Sequence, residues 1–215
     1  MKHVAAAFGA PVHEVETGEI NVVTRMQDLE RHGVCAVVGV EGPNGGTVFA
    51  GTTCRDGTLV GAGALLAAAD GELRAIIAET LAPGRAVRPD LAGFIEILPT
   101  QRSLAEKHAA PEDWAATVDV FDREFPSLFA SALAGTWERY EIVYSYTRYV
   151  GPERPDAAGF GWKARLFRPG AEGFLWIRGS KTERGVARLV GDAPDAAGAR
   201  ALIDLGRRLL AFGGG

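Results

Sequence analysis

The residues best suited to bind a ligand lie in the last eighty positions, where aromatic and basic side chains share short extended segments. All four tyrosines fall between residues 140 and 149, and in an extended strand Tyr140, Tyr144 and Tyr146 point to one side. The same alternation predicts three further groups, each on one side of its own strand: Lys163 with Arg165; Phe174 with Trp176 and Arg178; Arg184 with Arg188.

If these sides coincide in one sheet, aromatic rings and guanidinium groups line a shared hollow. Rings supply contact area, and arginine pairs bidentately with carboxylate or phosphate, so the pattern favours a small anionic, partly apolar ligand. The alternative is a solvated sheet face on which the arginines pair with neighbouring glutamates. The predicted ligand-binding residues are Tyr144, Tyr146, Arg165, Trp176, Arg178 and Arg188.

Two side chains are candidates for proton transfer, His108 and Tyr144. His108 precedes a predicted helix, and the alternative is a solvated histidine at a helix end. The histidines at 3, 13, 32 and 108 show no spacing that would place two on one helical face, and the sequence contains no HExxH, GxxxxGK[ST] or GxSxG. We therefore predict no metal site, and the sequence leaves the cofactor and the reaction open.

Two other motifs carry weaker signals. Cys54 stands beside Arg55, which could stabilise a thiolate, but strand alternation predicts an unreactive, buried thiol. The run from Gly159 to Trp162 partly matches an aromatic RNA-binding strand, although Ala158 replaces its leading basic residue. With a sequence pI near 5.6, we expect no nucleic-acid partner.

Composition indicates an ordinary globular chain of 215 residues, 47% apolar and 23% charged. It contains neither an apolar run long enough to span a membrane nor a signal peptide, so we expect a soluble, cytoplasmic bacterial protein without a membrane partner. Charge is unevenly distributed: residues 1–135 carry 10 basic and 18 acidic side chains, and residues 136–215 carry 13 and 9. An anion would therefore meet the second half of the chain.

The first half predicts two helices around an antiparallel meander. Apolar spacing indicates a helix over residues 20–32, with Gly33 as its C-terminal cap, and Asp70 opens a second helix that Pro83 and Gly84 end. Between them, turn residues at 42–46 and at Asp56 and Gly57 predict three strands within residues 34–66. Residues 91–98 read as a further strand.

The second half predicts two short helices, beginning near Pro111 and Pro126, then four strands and a C-terminal helix over residues 195–212. Because strands are grouped and do not alternate with helices, the predicted fold class is α+β, with a second, mostly antiparallel four-stranded sheet. The change of texture near residue 105 predicts two domains, 1–105 and 106–215, and one continuous domain is the alternative.

Two functions from different classes follow. The first is binding of a small anionic ligand, by a minor metabolic enzyme or an accessory factor. The second is a non-catalytic interaction module that assembles through complementary acidic and basic surfaces, with a partner protein or as a homo-oligomer.

Overall fold

A computed structural model describes residues 2–16, 18–41, 46–88, 90–97, 101–146, 149–154, 161–180 and 183–214. The chain divides into two compact units, Met1–Pro99 (unit 1) and Thr100–Gly215 (unit 2). The boundary expected between residues 105 and 106 lies within a strand of unit 2, Arg102–Ala109. None of the described helices is both long and apolar enough to cross a membrane.

Unit 1 combines a two-stranded hairpin with helices. Its helices are α1 (Lys2–Ala7), α2 (Glu19–Arg31), α3 (Gly57–Ala69), α4 (Gly71–Leu81) and α5 (Leu91–Glu96), and its antiparallel strands are β1 (Val38–Glu41) and β2 (Gly46–Phe49). The buried core consists of Val22, Val23, Met26 and Val48. Gly39 lets the hairpin approach α2, because a Cβ there would lie 2.4 Å from Val22 Cγ1.

The predicted helices over residues 20–32 and after Asp70 are confirmed as α2 and α4. Gly33 has a φ of +76°, the left-handed conformation of a helix-ending glycine. The Asp70 carboxylate accepts a hydrogen bond from the Leu73 amide at 3.0 Å and so caps α4.

Two predicted strands of the first half are wrong. Asp56 does not form a hairpin turn with Gly57; its carboxylate accepts the Leu59 amide at 2.9 Å and caps α3, which replaces the third strand of the meander. The leucines and alanines at 64–69 favour this helix. Residues 91–96 form α5 instead of a strand. The predicted turn at 42–46 falls largely outside the described residues.

Unit 2 is a six-stranded antiparallel sheet with two long helices. The strands are β3 (Arg102–Ala109), β4 (Arg139–Tyr146), β5 (Tyr149–Gly151), β6 (Gly161–Arg168), β7 (Ala171–Gly179) and β8 (Val186–Ala193), in the spatial order β3-β8-β7-β6-β4-β5. The helices are α6 (Trp114–Ala132) and α7 (Ala196–Gly214).

Both helices of unit 2 bury one face against the sheet. Phe121 and Phe125 from α6, and Leu202 and Leu209 from α7, are fully buried in one cluster with side chains from the central strands. Gly206 permits close contact, because a Cβ there would lie 2.3 Å from Leu189 Cδ1. This side of the sheet is therefore a packed core.

The α+β class is confirmed, and so are the C-terminal helix and a mostly antiparallel second sheet. The sheet has six strands, however, since β3 was not anticipated and β5 follows β4 separately. The two predicted short helices are one helix, α6, with Pro126 inside it. Phe121, Phe125 and Phe129 recur every four residues on its buried side, so packing holds the helix together across the proline.

Candidate functional site

The sheet of unit 2 has a second side, opposite α6 and α7, which we call the outer face. On β6, Trp162, Ala164 and Leu166 are fully buried in the core, so Lys163 and Arg165 lie on the outer face. On β7, Leu175 and Ile177 point into the core. The outer-face residues of β7 are therefore Phe174, Trp176 and Arg178.

Strand register brings three cations of the outer face into one line. Arg178 lies directly opposite Arg188, and Arg188 lies directly opposite Lys107 on β3. We call these three residues the cationic row. Like charges placed opposite each other across antiparallel strands are destabilising, so the row has a cost that a bound anion would offset.

Glu183, in the turn between β7 and β8, contacts two members of the cationic row. Its Oε1 accepts a hydrogen bond from Lys107 Nζ at 2.6 Å, and its Oε2 pairs with Arg188 Nη2. These contacts, led by the Lys107 hydrogen bond, hold the pKa of Glu183 below its usual value. The carboxylate is therefore ionised and forms ion pairs with two of the three cations of the row.

An apolar floor lies beside the cationic row. The floor consists of Trp176, which is only 8% exposed, and its register neighbour Val190. On the other side of Trp176 the register continues through the cation Lys163 to Val143. The indole Nε1 donates to Ser145 Oγ at 3.2 Å. The Arg178 guanidinium carbon lies 4.9 Å from the centre of the Trp176 ring, a cation–π distance that ties the row to this floor.

Arg165 and Asp192 form a third zone, on either side of Phe174 in register. Burial lowers the pKa of Arg165 and raises that of Asp192. Ser103 Oγ donates a hydrogen bond to Asp192 Oδ2, and Lys163 Nζ lies 4.0 Å from the centre of the Phe174 ring. Cations, aromatic rings and one half-buried carboxylate thus share the outer face.

The expectation that Tyr144 lies with the arginines is wrong. Tyr144 is on the core side of β4, where its hydroxyl donates to Asp122 Oδ2 at 2.8 Å. Trp162 Nε1 donates to the other oxygen of Asp122 at 2.7 Å. Burial, together with Asp122, raises the pKa of Tyr144 to about 12, so the phenol stays protonated and acts as a hydrogen-bond donor to α6.

The other proton-transfer candidate also lies away from the arginines. His108 is in strand β3, not at a helix end, and shares the core-facing side with Leu104 and Glu106. Its Nε2 lies 3.2 Å from Glu106 Oε2, a carboxylate that Arg207 of α7 also binds. The Tyr146 side chain falls outside the described part of the structure.

The structure therefore places four of the six predicted ligand-binding residues, Arg165, Trp176, Arg178 and Arg188, on the outer face. The sequence analysis missed Lys107 of the cationic row, and Ser145 and Gly161 around the indole. Glu183 was expected only in the alternative of a solvated face, as a glutamate that pairs with the arginines, and it does pair with Arg188. The sequence carries no alternation signal for Lys107, because polar and apolar side chains do not alternate along residues 102–109; the alternating exposure of β3 is visible only in the structure. Arg184, which was grouped with Arg188, lies in the turn before β8.

The cysteine expected to be buried is exposed. Cys54 lies in the segment before α3, and Cys35 is exposed as well. The Arg55 guanidinium pairs with two carboxylates and not with the Cys54 thiolate. Its Nε lies 2.9 Å from Glu19 Oε2, and its Nη1 lies 3.3 Å from Glu41 Oε2. Those carboxylates join α2, β1 and the segment before α3.

Comparison with known families finds a similarity within unit 1. Residues 1–82 match the family model described as phosphoglucomutase/phosphomannomutase, alpha/beta/alpha domain III. The matched segment here contains a two-stranded antiparallel hairpin and helices, and it ends before the cationic row and the rest of the outer face. No curated protein matches the chain.

Proposed function

We propose that this chain binds a small anionic, partly apolar ligand on the outer face of unit 2, as a minor metabolic enzyme or an accessory factor. The observation that carries the proposal is the cationic row, in which Arg178, Arg188 and Lys107 stand directly opposite one another on three adjacent strands. A ligand anion placed there offsets the repulsion and gains charge-assisted hydrogen bonds.

The apolar part of the ligand is assigned to the floor next to the row. Trp176 and Val190 lie one side-chain position along β7 and β8 from Arg178 and Arg188, a separation of about 7 Å between alternate residues of a strand. A ligand a few carbons long therefore reaches both zones. Arg165 lies opposite Phe174, which is two side-chain positions, about 14 Å, along β7 from Arg178. Arg165 therefore defines the far end of the site.

The family match supports the same ligand class from an independent part of the chain. Phosphoglucomutase and phosphomannomutase are named for phosphorylated sugars, which are small anions. We do not assign a catalytic role to Tyr144 or His108, because both lie on the core side of the sheet, away from the row.

Hexyl phosphate and inorganic phosphate, titrated by calorimetry into the full chain, test this function. We expect hexyl phosphate to bind more tightly than phosphate, and Arg178→Ala and Arg188→Ala each to weaken it about tenfold, as for loss of one charge-assisted hydrogen bond. Arg139→Ala is the matched control. Arg139 lies at the end of β4 that is distant from the cationic row, where its Nη1 lies 2.6 Å from Glu141 Oε1. If all three variants weaken the binding of hexyl phosphate equally, the ligand responds to general surface charge and not to the cationic row.

A second candidate is a non-catalytic interaction module, and α3 is the observation that favours it. This 13-residue helix contains no charged residue, yet none of its residues is buried, and Leu65 is 73% exposed. An apolar helix needs an apolar partner. A second copy of the chain supplies one without charge repulsion, in the symmetric pairing most common for homodimers.

Light scattering on the eluting protein separates the two functions. Under the interaction module, the wild type elutes as a dimer and Leu65→Glu as a monomer. Arg178→Ala should leave the mass of the dimer unchanged while it weakens the binding of hexyl phosphate. A wild-type monomer at all concentrations excludes the pairing through α3.

A further inference from the structure

Glu183 is held against the cationic row by its own turn. The Glu183 amide donates to Ser180 Oγ at 3.2 Å, and the Ser180 amide donates to the Val186 carbonyl at 2.7 Å. Gly185 turns the chain with a φ of +74°, a conformation that glycine adopts readily. The turn thus presents the carboxylate to Lys107 and Arg188 on the neighbouring strands.

The carboxylate occupies the position that the anionic group of a ligand would take. Both of its oxygens are used, one by Lys107 and one by Arg188, which is the bridging geometry expected of a bound oxyanion. Yet two cations share a single negative charge there. The Glu183 side chain is also 38% exposed, so it can move into water without losing a buried contact.

We infer that Glu183 is an internal competitor for the anion site, and that the ligand group able to displace it between Lys107 and Arg188 is a dianion, such as a phosphoryl group. This inference rests on the proposed anion-binding function and deepens it. Glu183 then selects among anions by setting the charge that a ligand must bring.

The preference for a dianion follows from the competition. A carboxylate tethered by a short turn acts at an effective concentration of about millimolar or more. A free monocarboxylate would replace one single charge by another and would have to overcome that tether with no new interaction. A dianion brings a second charge to the same two cations, so only it gains on exchange.

Sulfate and acetate are the probes, titrated into the full chain at constant ionic strength. The variants are Glu183→Gln, Arg188→Ala and the matched control Glu141→Gln. Glu141 lies on the same face and pairs with Arg139, so its replacement removes an equal charge and leaves Lys107 and Arg188 untouched. Tryptophan fluorescence and circular dichroism confirm that each variant is folded.

We expect the wild type to bind sulfate at least tenfold more tightly than acetate. Glu183→Gln should tighten sulfate binding about fivefold, the effect of removing two partly exposed ion pairs, and Glu141→Gln by less than twofold. Arg188→Ala should weaken sulfate binding both in the wild type and when combined with Glu183→Gln.

The failures are distinguishable. If Glu183→Gln leaves sulfate affinity unchanged, or acetate binds as tightly as sulfate, the competitor is overturned while anion binding stands. If Arg188→Ala binds sulfate like the wild type, or neither the wild type nor Glu183→Gln binds it, the anion-binding function fails and the competitor fails with it.

Discussion

Replacing Gly161 by alanine tests the packing of the outer face directly. Gly161 opens β6 beneath the indole of Trp176. An added Cβ would lie 2.5 Å from Ser145 Oγ, 2.8 Å from Trp176 Nε1 and 3.1 Å from Arg178 Cβ. The first two distances are shorter than any ordinary contact, so the indole and the serine must both move.

The expected loss of stability has two sources. Overpacking of a well-packed site costs about 1–3 kcal/mol. Separation of the buried Trp176 Nε1 from Ser145 Oγ, now 3.2 Å apart, adds about 1 kcal/mol. We therefore expect Gly161→Ala to lower the free energy of unfolding of unit 2 by about 3 kcal/mol.

Urea unfolding followed by tryptophan fluorescence measures this change selectively. All four tryptophans, at 114, 137, 162 and 176, belong to unit 2, so the signal reports on that unit alone. Gly135→Ala is the control, because an added Cβ there meets nothing within 4 Å. The same Gly161 variant should bind hexyl phosphate more weakly, since Arg178 is displaced with the indole.

A stability change below about 0.5 kcal/mol, the level of an ordinary surface substitution, would refute the reasoning. It would mean that the Trp176 indole does not lie over Gly161. The apolar floor of the proposed site would then lose its main component, whatever the behaviour of the cationic row.

Three further outcomes follow from individual contacts. Tyr144→Phe removes the hydrogen bond to Asp122 and should lower the stability of unit 2 by about 1.5 kcal/mol in urea unfolding. Burial raises the pKa of Asp192 in the folded protein. The protonated carboxyl therefore contributes fully to stability below the pKa of an ordinary aspartate, and this contribution is lost as pH rises through the raised pKa of the folded state. Relative to Asp192→Asn, the wild type should lose stability in urea unfolding as pH rises from about 4. Asp56→Ala removes the cap of α3, a loss of about 1 kcal/mol, and amide exchange at Leu59 should accelerate.

Local signals accounted for the elements whose residues act within one turn or one strand. Three features could be predicted from the sequence because each depends on neighbours close along the chain. They are the apolar spacing of α2 with its terminal Gly33, the Asp70 cap of α4, and the alternation along β6 and β7. Asp56 illustrates the limit, since the same aspartate–glycine pair opens a hairpin turn or caps a helix, and the leucines and alanines that follow decided for the helix.

The site itself shows the division most clearly. Alternation alone grouped Phe174, Trp176 and Arg178 on one side of their strand, and the surplus of basic residues after position 135 indicated where an anion would bind. Only the register of β7 with β8, and of β8 with β3, placed Arg178, Arg188 and Lys107 in line. Only the packing of α6 turned Tyr144 towards the core. Which side of a strand faces the helices, and which residue lies across the next strand, depend on contacts between segments up to about a hundred residues apart, and no local pattern encodes them.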